Sequence, residues 1–271
     1  MTAGVAYSAS VDRVTSQRRI ERLDVARGER TPAADQLVEE GPLELRARGA
    51  VVATILRTPG ADRELVRGLL IAEGVAGAAG VRIDCDGDVA EVDVPADVFG
   101  ARGLVSTAAC GVCGRVAIAD LELRLREVRS DAMVDAAVIA SLPARLRAAQ
   151  EVFAATGGLH AAGLFDRDGA LIAMREDVGR HNALDKVIGW AAEAGRLPWP
   201  GVVVVSGRLG YELAQKVVAA GAAIVAAVSA PSALAVDVCE RFGVTACGFV
   251  RDGRMNVYSH GWRVAQVTAK Q

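Results

Sequence analysis

The sequence lacks a surplus of either charge, since 31 lysine and arginine residues face 33 aspartate and glutamate residues. Nucleic-acid-binding domains normally carry a basic surplus or stripe, so this balance argues against a nucleic-acid partner. Lysine is scarce, and nearly all the positive charge is arginine. Genome composition is the simpler explanation of that bias. The alternative is that arginine, a planar fork of donors, is available for phosphate groups.

Long apolar runs are also absent. The longest, from Gly221 to Ala235, is interrupted by two serines and a proline, and it is shorter than the ~20 residues that a membrane-spanning helix needs. The first ten residues are followed by charged residues rather than by the apolar core of a signal peptide. We therefore expect a cytosolic protein with no membrane partner. The hydrophobic fraction of 52% predicts a globular chain with a sizeable core.

The cysteines are few and odd in number: Cys85, Cys110, Cys113, Cys239 and Cys247. A disulfide framework is not expected from an odd set in a reducing compartment. These residues are therefore either small buried groups or chemically active ones.

Cys110 and Cys113 form a Cys-x-x-Cys pair in a segment rich in small residues. The pair has three physical interpretations: reactive thiols with a lowered pKa, half of a zinc site, or two inert buried side chains. Gly111 and Gly114 allow unusual backbone angles and leave the sulfurs uncovered, which argues against the inert case. No second close pair of ligands completes a zinc site, so we predict no metal. We predict that Cys110 and Cys113 are reactive thiols.

The second half of the chain alternates between apolar strands and helices. Strands are predicted at 202–205, 223–228 and 244–250, and helices at 181–194, 209–220 and 231–242. This alternation predicts an α/β fold with a parallel sheet buried on both faces. The first half predicts hairpins at 43–57 and 81–94, a helix from Asp62, a helix over 131–150 and a hairpin over 159–174.

Three units follow from these patterns. Residues 1–38 have no clear period and are expected to form a poorly ordered arm. Residues 39–130 are predicted to be an N-terminal α+β portion with antiparallel strands that ends in the cysteine segment. Residues 131–271 are predicted to be the main α/β domain.

Three turns that lead into predicted helices share a phosphate-binding character. Helix N-termini present backbone N–H groups that stabilise anions, and in parallel sheets such turns gather at the carboxyl ends of the strands. Ordinary capping explains any one of them, but three together, with arginines beside them, favour a ligand that carries phosphate. The candidate residues are Arg180, His181, Ser206, Gly207, Arg208 and Ser229.

The segment from 249 to 256 predicts a strand, a tight turn and a second strand. An aromatic ring and two arginines beside a glycine turn are suited to stacking a nucleobase and holding a phosphate. A solvated hairpin explains the same residues equally well. The candidate residues are Phe249, Val250, Arg251, Asp252, Gly253, Arg254 and Asn256.

Taken together, these segments resemble the FdhD family of sulfur carriers that are needed for formate dehydrogenase activity. The residues that carry the resemblance lie at 39–45, 57–60, 73–74, 110–114, 156–162, 175–186, 206–208, 229–232 and 256–260. The sequence Arg-Glu-Asp-Val-Gly-Arg-His-Asn-Ala-Leu-Asp-Lys at 175–186 is the most specific of them. The first 38 residues lie outside the resemblance, and Gly261 stands where the family usually has proline.

The resemblance implies a function. Such proteins take persulfide sulfur from a cysteine desulfurase and pass it to the molybdenum cofactor bis-molybdopterin guanine dinucleotide, which then enters formate dehydrogenase. It also implies a homodimer with a cytidine-deaminase-like three-layer fold that binds guanine nucleotides such as GDP. The persulfide-bearing cysteine of the family matches Cys110, with Cys113 as its helper, and the cofactor segment matches 249–254.

Three rival functions make different demands on these residues. A zinc deaminase needs His-x-Glu followed by Pro-Cys-x-x-Cys, whereas His160 is followed by two alanines and the cysteine pair precedes it. Deamination is therefore rejected. A chaperone that binds and delivers the cofactor without carrying sulfur stays open, and so does a zinc-binding structural module. The roles of His160 and His181 are also open.

Overall fold

The structure is a computed structural model that describes residues 11–99 and 125–266. The strands are β1 (Thr15–Asp24), β2 (Glu29–Val38), β3 (Gly41–Ala47), β4 (Ala50–Arg57), β5 (Ile83–Asp86), β6 (Val89–Val92), β7 (Val134–Asp135), β8 (His160–Phe165), β9 (Leu171–Asp177), β10 (Val202–Val205), β11 (Ile224–Ala227), β12 (Thr245–Arg251), β13 (Arg254–Val257) and β14 (Val264–Ala265). The helices are α1 (Asp62–Ala72), α2 (Ala136–Ala149), α3 (Glu151–Thr156), α4 (Arg180–Glu193), α5 (Tyr211–Ala219) and α6 (Ala233–Arg241).

A six-stranded sheet forms the centre of the molecule, in the order β13-β12-β11-β10-β8-β9. Strands β10, β11 and β12 are parallel, as their apolar sequences predict, and all four valines of β10 are buried. Strands β8, β9 and β13 run antiparallel to their neighbours, so the sheet is mixed. The prediction of an α/β fold is confirmed.

The N-terminal portion has its own four-stranded sheet, in the order β4-β3-β6-β5. The predicted hairpins β3–β4 and β5–β6 are present, but β3 pairs with β6 in parallel, so this sheet is not purely antiparallel. Its core includes Leu43, Leu45, Leu65 and Leu70. Helix α1 packs between this sheet and α4 of the main sheet, which joins the two parts of the fold.

Residues 15–38 correct the expectation of a poorly ordered arm. They form an antiparallel hairpin, β1–β2, whose two strands have ten residues each, so it is roughly 33 Å long at 3.3 Å per residue. Both of its faces are largely exposed. A period-two hydrophobic pattern arises only when one face of a strand is buried, so the sequence gives no strand signal here. At its base, Val38 packs against Gly158.

The described parts of the chain contain no helix with both the length and the apolar character needed to cross a membrane.

Candidate functional site

A cavity of about 550 Å³ lies at the carboxyl ends of β10, β11 and β12. Residues that follow parallel strands meet at one edge of a sheet, and the start of antiparallel β8 reaches the same edge. Helices α2 and α3 supply the remaining wall. The cavity is lined by Ala140, Pro143, Ala144, Leu146, Arg147, Gln150, Phe153, Gly157, Gly158, Leu159, His160, Ser206, Val228, Val250, Arg251 and Asp252.

Ser206 and His160 form a polar part of the lining. The Ser206 amide donates to the Ala161 carbonyl at 3.0 Å, and the Ala161 amide donates to Ser206 Oγ at 2.9 Å. This pairing fixes the turn after β10 against the start of β8. A side chain on Gly207 would place its Cβ 3.6 Å from Nδ1 of His160. This is an ordinary contact distance, so the turn at Gly207 lies directly beside the imidazole.

His160 is held in its neutral form. Partial burial lowers its pKa below the ordinary 6.5, and the positive charge of Arg180 lowers it further, with Asp177 acting in the opposite sense. A neutral imidazole offers one donor and one acceptor. His160 is therefore suited to hydrogen-bond a ligand near neutral pH without repelling a cation.

Backbone hydrogen bonds tie the predicted turns together. The Ser229 amide donates to the Gly207 carbonyl at 3.4 Å, and the Phe249 amide donates to the Ser229 carbonyl at 3.1 Å. The turns after β10 and β11 are thus connected to the end of β12. The structure brings together Ser206, Gly207, Ser229 and Phe249, which the sequence singled out separately.

The β12–β13 hairpin adopts an uncommon backbone. Asp252 and Gly253 have φ of 53° and 70° between paired Arg251 and Arg254, as in the tight turns that favour Asp-Gly. Phe249 has φ of 52° at a break in the strand register, a conformation that non-glycine residues rarely adopt. Such strain at a cavity is typical of a binding site.

A second cavity of about 460 Å³ lies along this hairpin. It is lined by Phe249, Arg251, Asp252, Arg254, Met255 and Asn256. Arg251 and Asp252 border both cavities. The guanidinium of Arg251 lies 5.9 Å from the centre of the Phe249 ring, which is 37% exposed. Six of the seven predicted hairpin residues thus line a cavity, and Gly253 makes the turn between them.

The other predicted phosphate contacts lie outside the cavity walls. Arg208 is exposed, and Arg180 and His181 line neither cavity. His181 Nε2 lies 3.1 Å from a carboxylate oxygen of Glu212. Burial lowers the pKa of His181 to about 4, and Arg180 and Lys216 add to this effect.

The distinctive 175–186 segment is mainly structural. Lys186 Nζ lies 2.6 Å from the Asp177 carboxylate and donates to the Thr58 carbonyl at 2.8 Å. The Asn182 side chain donates to the same carboxylate at 2.9 Å, and Arg175 pairs with Glu64 at 2.6 Å. These groups are buried and partnered, so they hold α4 to the N-terminal portion.

Side-chain hydrogen bonds occur near two of the helix N-termini in this region. The Gly179 amide donates to Asp177 Oδ1, and the Ala235 amide at the start of α6 donates to Ser232 Oγ. Ser232 therefore caps α6, whereas Gly179 and Gly210, which precede α4 and α5, provide no side-chain cap. Side-chain capping accounts for one of the three helix N-termini that the sequence associated with phosphate.

Arg147 and Phe153 were missed by the sequence analysis. The Arg147 guanidinium lies 4.2 Å from the centre of the Phe153 ring, and both side chains line the larger cavity. An arginine and an aromatic residue six positions apart, across a helix boundary, give no motif. Their proximity depends on the break between α2 and α3 at Gln150.

Cys110 and Cys113 lie outside the described residues, so their predicted reactivity stays a prediction. Among the described cysteines, Cys85 is exposed and Cys239 and Cys247 are buried. Desolvation raises the pKa of both buried thiols to about 12. They are small core residues. Within residues 11–99 and 125–266, no cluster of side chains is arranged to hold a metal ion.

The protein has an α/β fold with a cavity at the carboxyl edge of its parallel strands, and comparison with known proteins identifies the family. Residues 38–265 match the sequence model of the FdhD/NarQ family, and the chain belongs to that family.

Relatives cover most of the chain. A protein of Mycolicibacterium paratuberculosis named sulfur carrier protein FdhD is 45% identical over an alignment of 271 positions, which covers 93% of this chain and 99% of the relative. A protein of the same name from Anaeromyxobacter dehalogenans is 46% identical over an alignment of 255 positions, which covers 85% of this chain and 88% of the relative.

A solved structure confirms the fold. The crystal structure of a protein from Desulfotalea psychrophila, described as a formate dehydrogenase accessory protein, matches 93% of this chain and all of its own, with a TM-score of 0.76 at 23% identity.

Proposed function

We propose that this protein is a cytosolic sulfur carrier that passes persulfide sulfur from a cysteine desulfurase to bis-molybdopterin guanine dinucleotide, for use by formate dehydrogenase. The observation that carries the proposal is the 45% identity, over nearly the whole chain, to a relative named sulfur carrier protein FdhD. The cavities at the sheet edge support it, because they offer a place for a large ligand with a nucleotide tail.

Cys110 is the proposed carrier. Its thiolate attacks the outer sulfur of the desulfurase persulfide, the donor S–S bond breaks, and the desulfurase cysteine leaves as a thiolate. The result is a persulfide on Cys110 with no net oxidation or reduction. Cys113 assists in the onward transfer. The exchange requires an accessible thiolate, a condition that the buried Cys239 and Cys247 do not meet.

The hairpin residues that line the cavities are proposed to hold the guanine nucleotide part of the substrate. The exposed Phe249 ring offers a surface on which a base can stack, and Arg251 and Arg254 offer donors to phosphate. GDP is the corresponding analogue. We further propose that the protein acts as a homodimer, which sedimentation of the purified chain tests directly.

Sulfur loading tests the carrier function. After incubation with a cysteine desulfurase and cysteine, trapping and mass spectrometry should find the mass of one added sulfur atom on Cys110. Cys110→Ala should abolish this adduct, whereas Cys85→Ala, which removes an exposed thiol, should retain it. A wild-type protein without added sulfur on Cys110 would exclude the carrier function.

A non-catalytic chaperone of the cofactor is the second candidate, because the described cavities use no cysteine side chain. A variant with both Cys110 and Cys113 changed to alanine separates the two functions. The carrier predicts that formate dehydrogenase stays inactive, and the chaperone predicts that it becomes active.

A further inference from the structure

Two arginines from different parts of the fold line the larger cavity. Arg251 belongs to the β12–β13 hairpin, whereas Arg147 lies on α2. Within the part of the chain that the structure describes, neither guanidinium forms an ion pair with a carboxylate; their contacts are with aromatic rings. The buried Arg57 differs, because Asp62 and Asp88 both lie 2.9 Å from it. The two cavity arginines are therefore available to an anionic ligand.

Each of the two guanidiniums lies over an aromatic ring. Arg147 is 4.2 Å from the centre of Phe153, and Arg251 is 5.9 Å from the centre of Phe249. Stacking orders a guanidinium through its flat face and leaves the N–H groups at its edge free to donate in pairs. Paired donation to oxygen is the geometry that suits phosphate. The two arginines are thus equivalent in chemistry, although only one belongs to the predicted hairpin.

The rest of the cavity fits a ligand with a flat, weakly polar part joined to an anionic one. Ala140, Pro143 and Ala144 give an apolar wall, while neutral His160 and Ser206 offer hydrogen bonds. The side chains that line the cavity include two arginines and one carboxylate, that of Asp252, so positive charge predominates. The volume of about 550 Å³ lies within the usual range for small-molecule sites.

We propose that Arg147, stacked on Phe153, is a specificity-determining residue that binds the diphosphate of a nucleotide ligand together with Arg251. This inference rests on the proposed function, which supplies a nucleotide-tailed substrate but assigns its binding to the hairpin alone. Arg147 adds a contact from α2 that depends on the negative charge of the ligand. It discriminates a nucleoside diphosphate from the uncharged nucleoside.

Calorimetric titration of the full chain with GDP, guanosine and inorganic pyrophosphate tests the assignment. Loss of a charged, paired hydrogen bond should lower affinity about tenfold. Arg147→Gln should therefore weaken GDP and pyrophosphate binding by that factor and leave guanosine binding unchanged. Arg147→Lys, which keeps the charge without the planar fork, should fall between wild type and Arg147→Gln.

Arg129→Gln is the matched control. Its side chain is 88% exposed and lines neither cavity, so removal of this one positive charge should leave all three affinities unchanged. Thermal unfolding followed by circular dichroism establishes that each variant is folded. A fall in affinity for Arg129→Gln as large as that for Arg147→Gln would overturn the assignment, because general charge would then explain the effect.

The remaining outcomes distinguish failure of the Arg147 assignment from failure of the proposed function. If Arg147→Gln binds GDP like the wild type while Arg251→Gln does not, the hairpin binds the nucleotide and the assignment of Arg147 to the diphosphate is wrong. If Arg147→Gln lowers the affinity for guanosine as much as the affinity for GDP, the residue shapes the cavity and does not recognise phosphate. If the wild type binds neither GDP nor pyrophosphate, the proposal of a nucleotide ligand and the assignment of Arg147 to its diphosphate are both wrong.

Discussion

Gly68 on α1 and Gly189 on α4 each lie directly against the backbone of the opposite helix. A Cβ on Gly68 would be 1.9 Å from the Asp185 carbonyl oxygen, and a Cβ on Gly189 would be 1.9 Å from the Glu64 carbonyl oxygen. These distances are far below van der Waals contact, so the two helices approach this closely only because both residues lack a side chain. The same contact joins the N-terminal portion to the main sheet.

Gly189→Ala should therefore lower the free energy of unfolding by about 3 kcal/mol, since overpacking forces the helices apart. Urea unfolding measures this change. Gly80→Ala is the control, because a Cβ there meets open space. Equal stability of the two variants would contradict the close contact.

Lys186→Met should destabilise the protein by about 4 kcal/mol, because it leaves the fully buried Asp177 carboxylate without its cation. The double variant with Asp177→Asn should recover part of the loss, since the unpaired charge is then gone. Chemical denaturation of the three proteins provides the comparison. A single variant as stable as wild type would show that the pair is not needed for stability.

The folded protein should lose stability as the pH falls from about 6.5 to about 4 through His181. Its pKa falls to about 4 in the folded state from an ordinary 6.5, so in this range the unfolded chain binds a proton that the folded chain does not. The loss amounts to at most about 3 kcal/mol.

His181→Gln should flatten this part of the pH profile. Burial raises the pKa of Asp185 to about 6, so this residue stabilises the folded protein as the pH falls over a similar range. Asp185 is present in both proteins, so its contribution to the pH dependence of stability cancels in the comparison. Denaturation midpoints at half-unit steps of pH measure the difference. Parallel profiles for the two proteins would refute the assignment to His181.

Gly253→Ala should weaken GDP binding about fivefold, because alanine at a φ of 70° costs about 1 kcal/mol and loosens the hairpin. Gly28→Ala introduces similar strain at a φ of 68° in the β1–β2 turn, whose strands line neither cavity. Its GDP affinity should match wild type. Equal weakening in both variants would mean that the hairpin turn has no special connection to binding.

Much of the fold follows from local pattern, because the apolar strands β10, β11 and β12 are buried on both faces. The β1–β2 hairpin does not follow from a local hydrophobic pattern, because its exposed faces carry charge pairs such as Arg30 with Glu21. For the same reason its ten-residue strands have no hydrophobic alternation to detect.

The candidate site was only partly predictable. The hairpin at 249–256 could be found because an Asp-Gly turn between arginines is a local signal. The charged 175–186 segment suggested ligand contacts, yet Arg175 pairs with Glu64, 111 positions away, and no local pattern indicates such a partner. Arg147 was missed because an arginine on a helix surface is ordinarily solvated.

The hydrogen bonds through Ser229 order the candidate site, and they also allow its opening to be measured by hydrogen exchange. The Phe249 amide proton is held by the Ser229 carbonyl, and the Ser229 amide is held in turn by Gly207. Exchange of the Phe249 proton with deuterated solvent requires this connection to open. The exchange rate of the Phe249 amide proton, measured by NMR without an added label, therefore reports how firmly the turns after β10 and β11 are held to the end of β12.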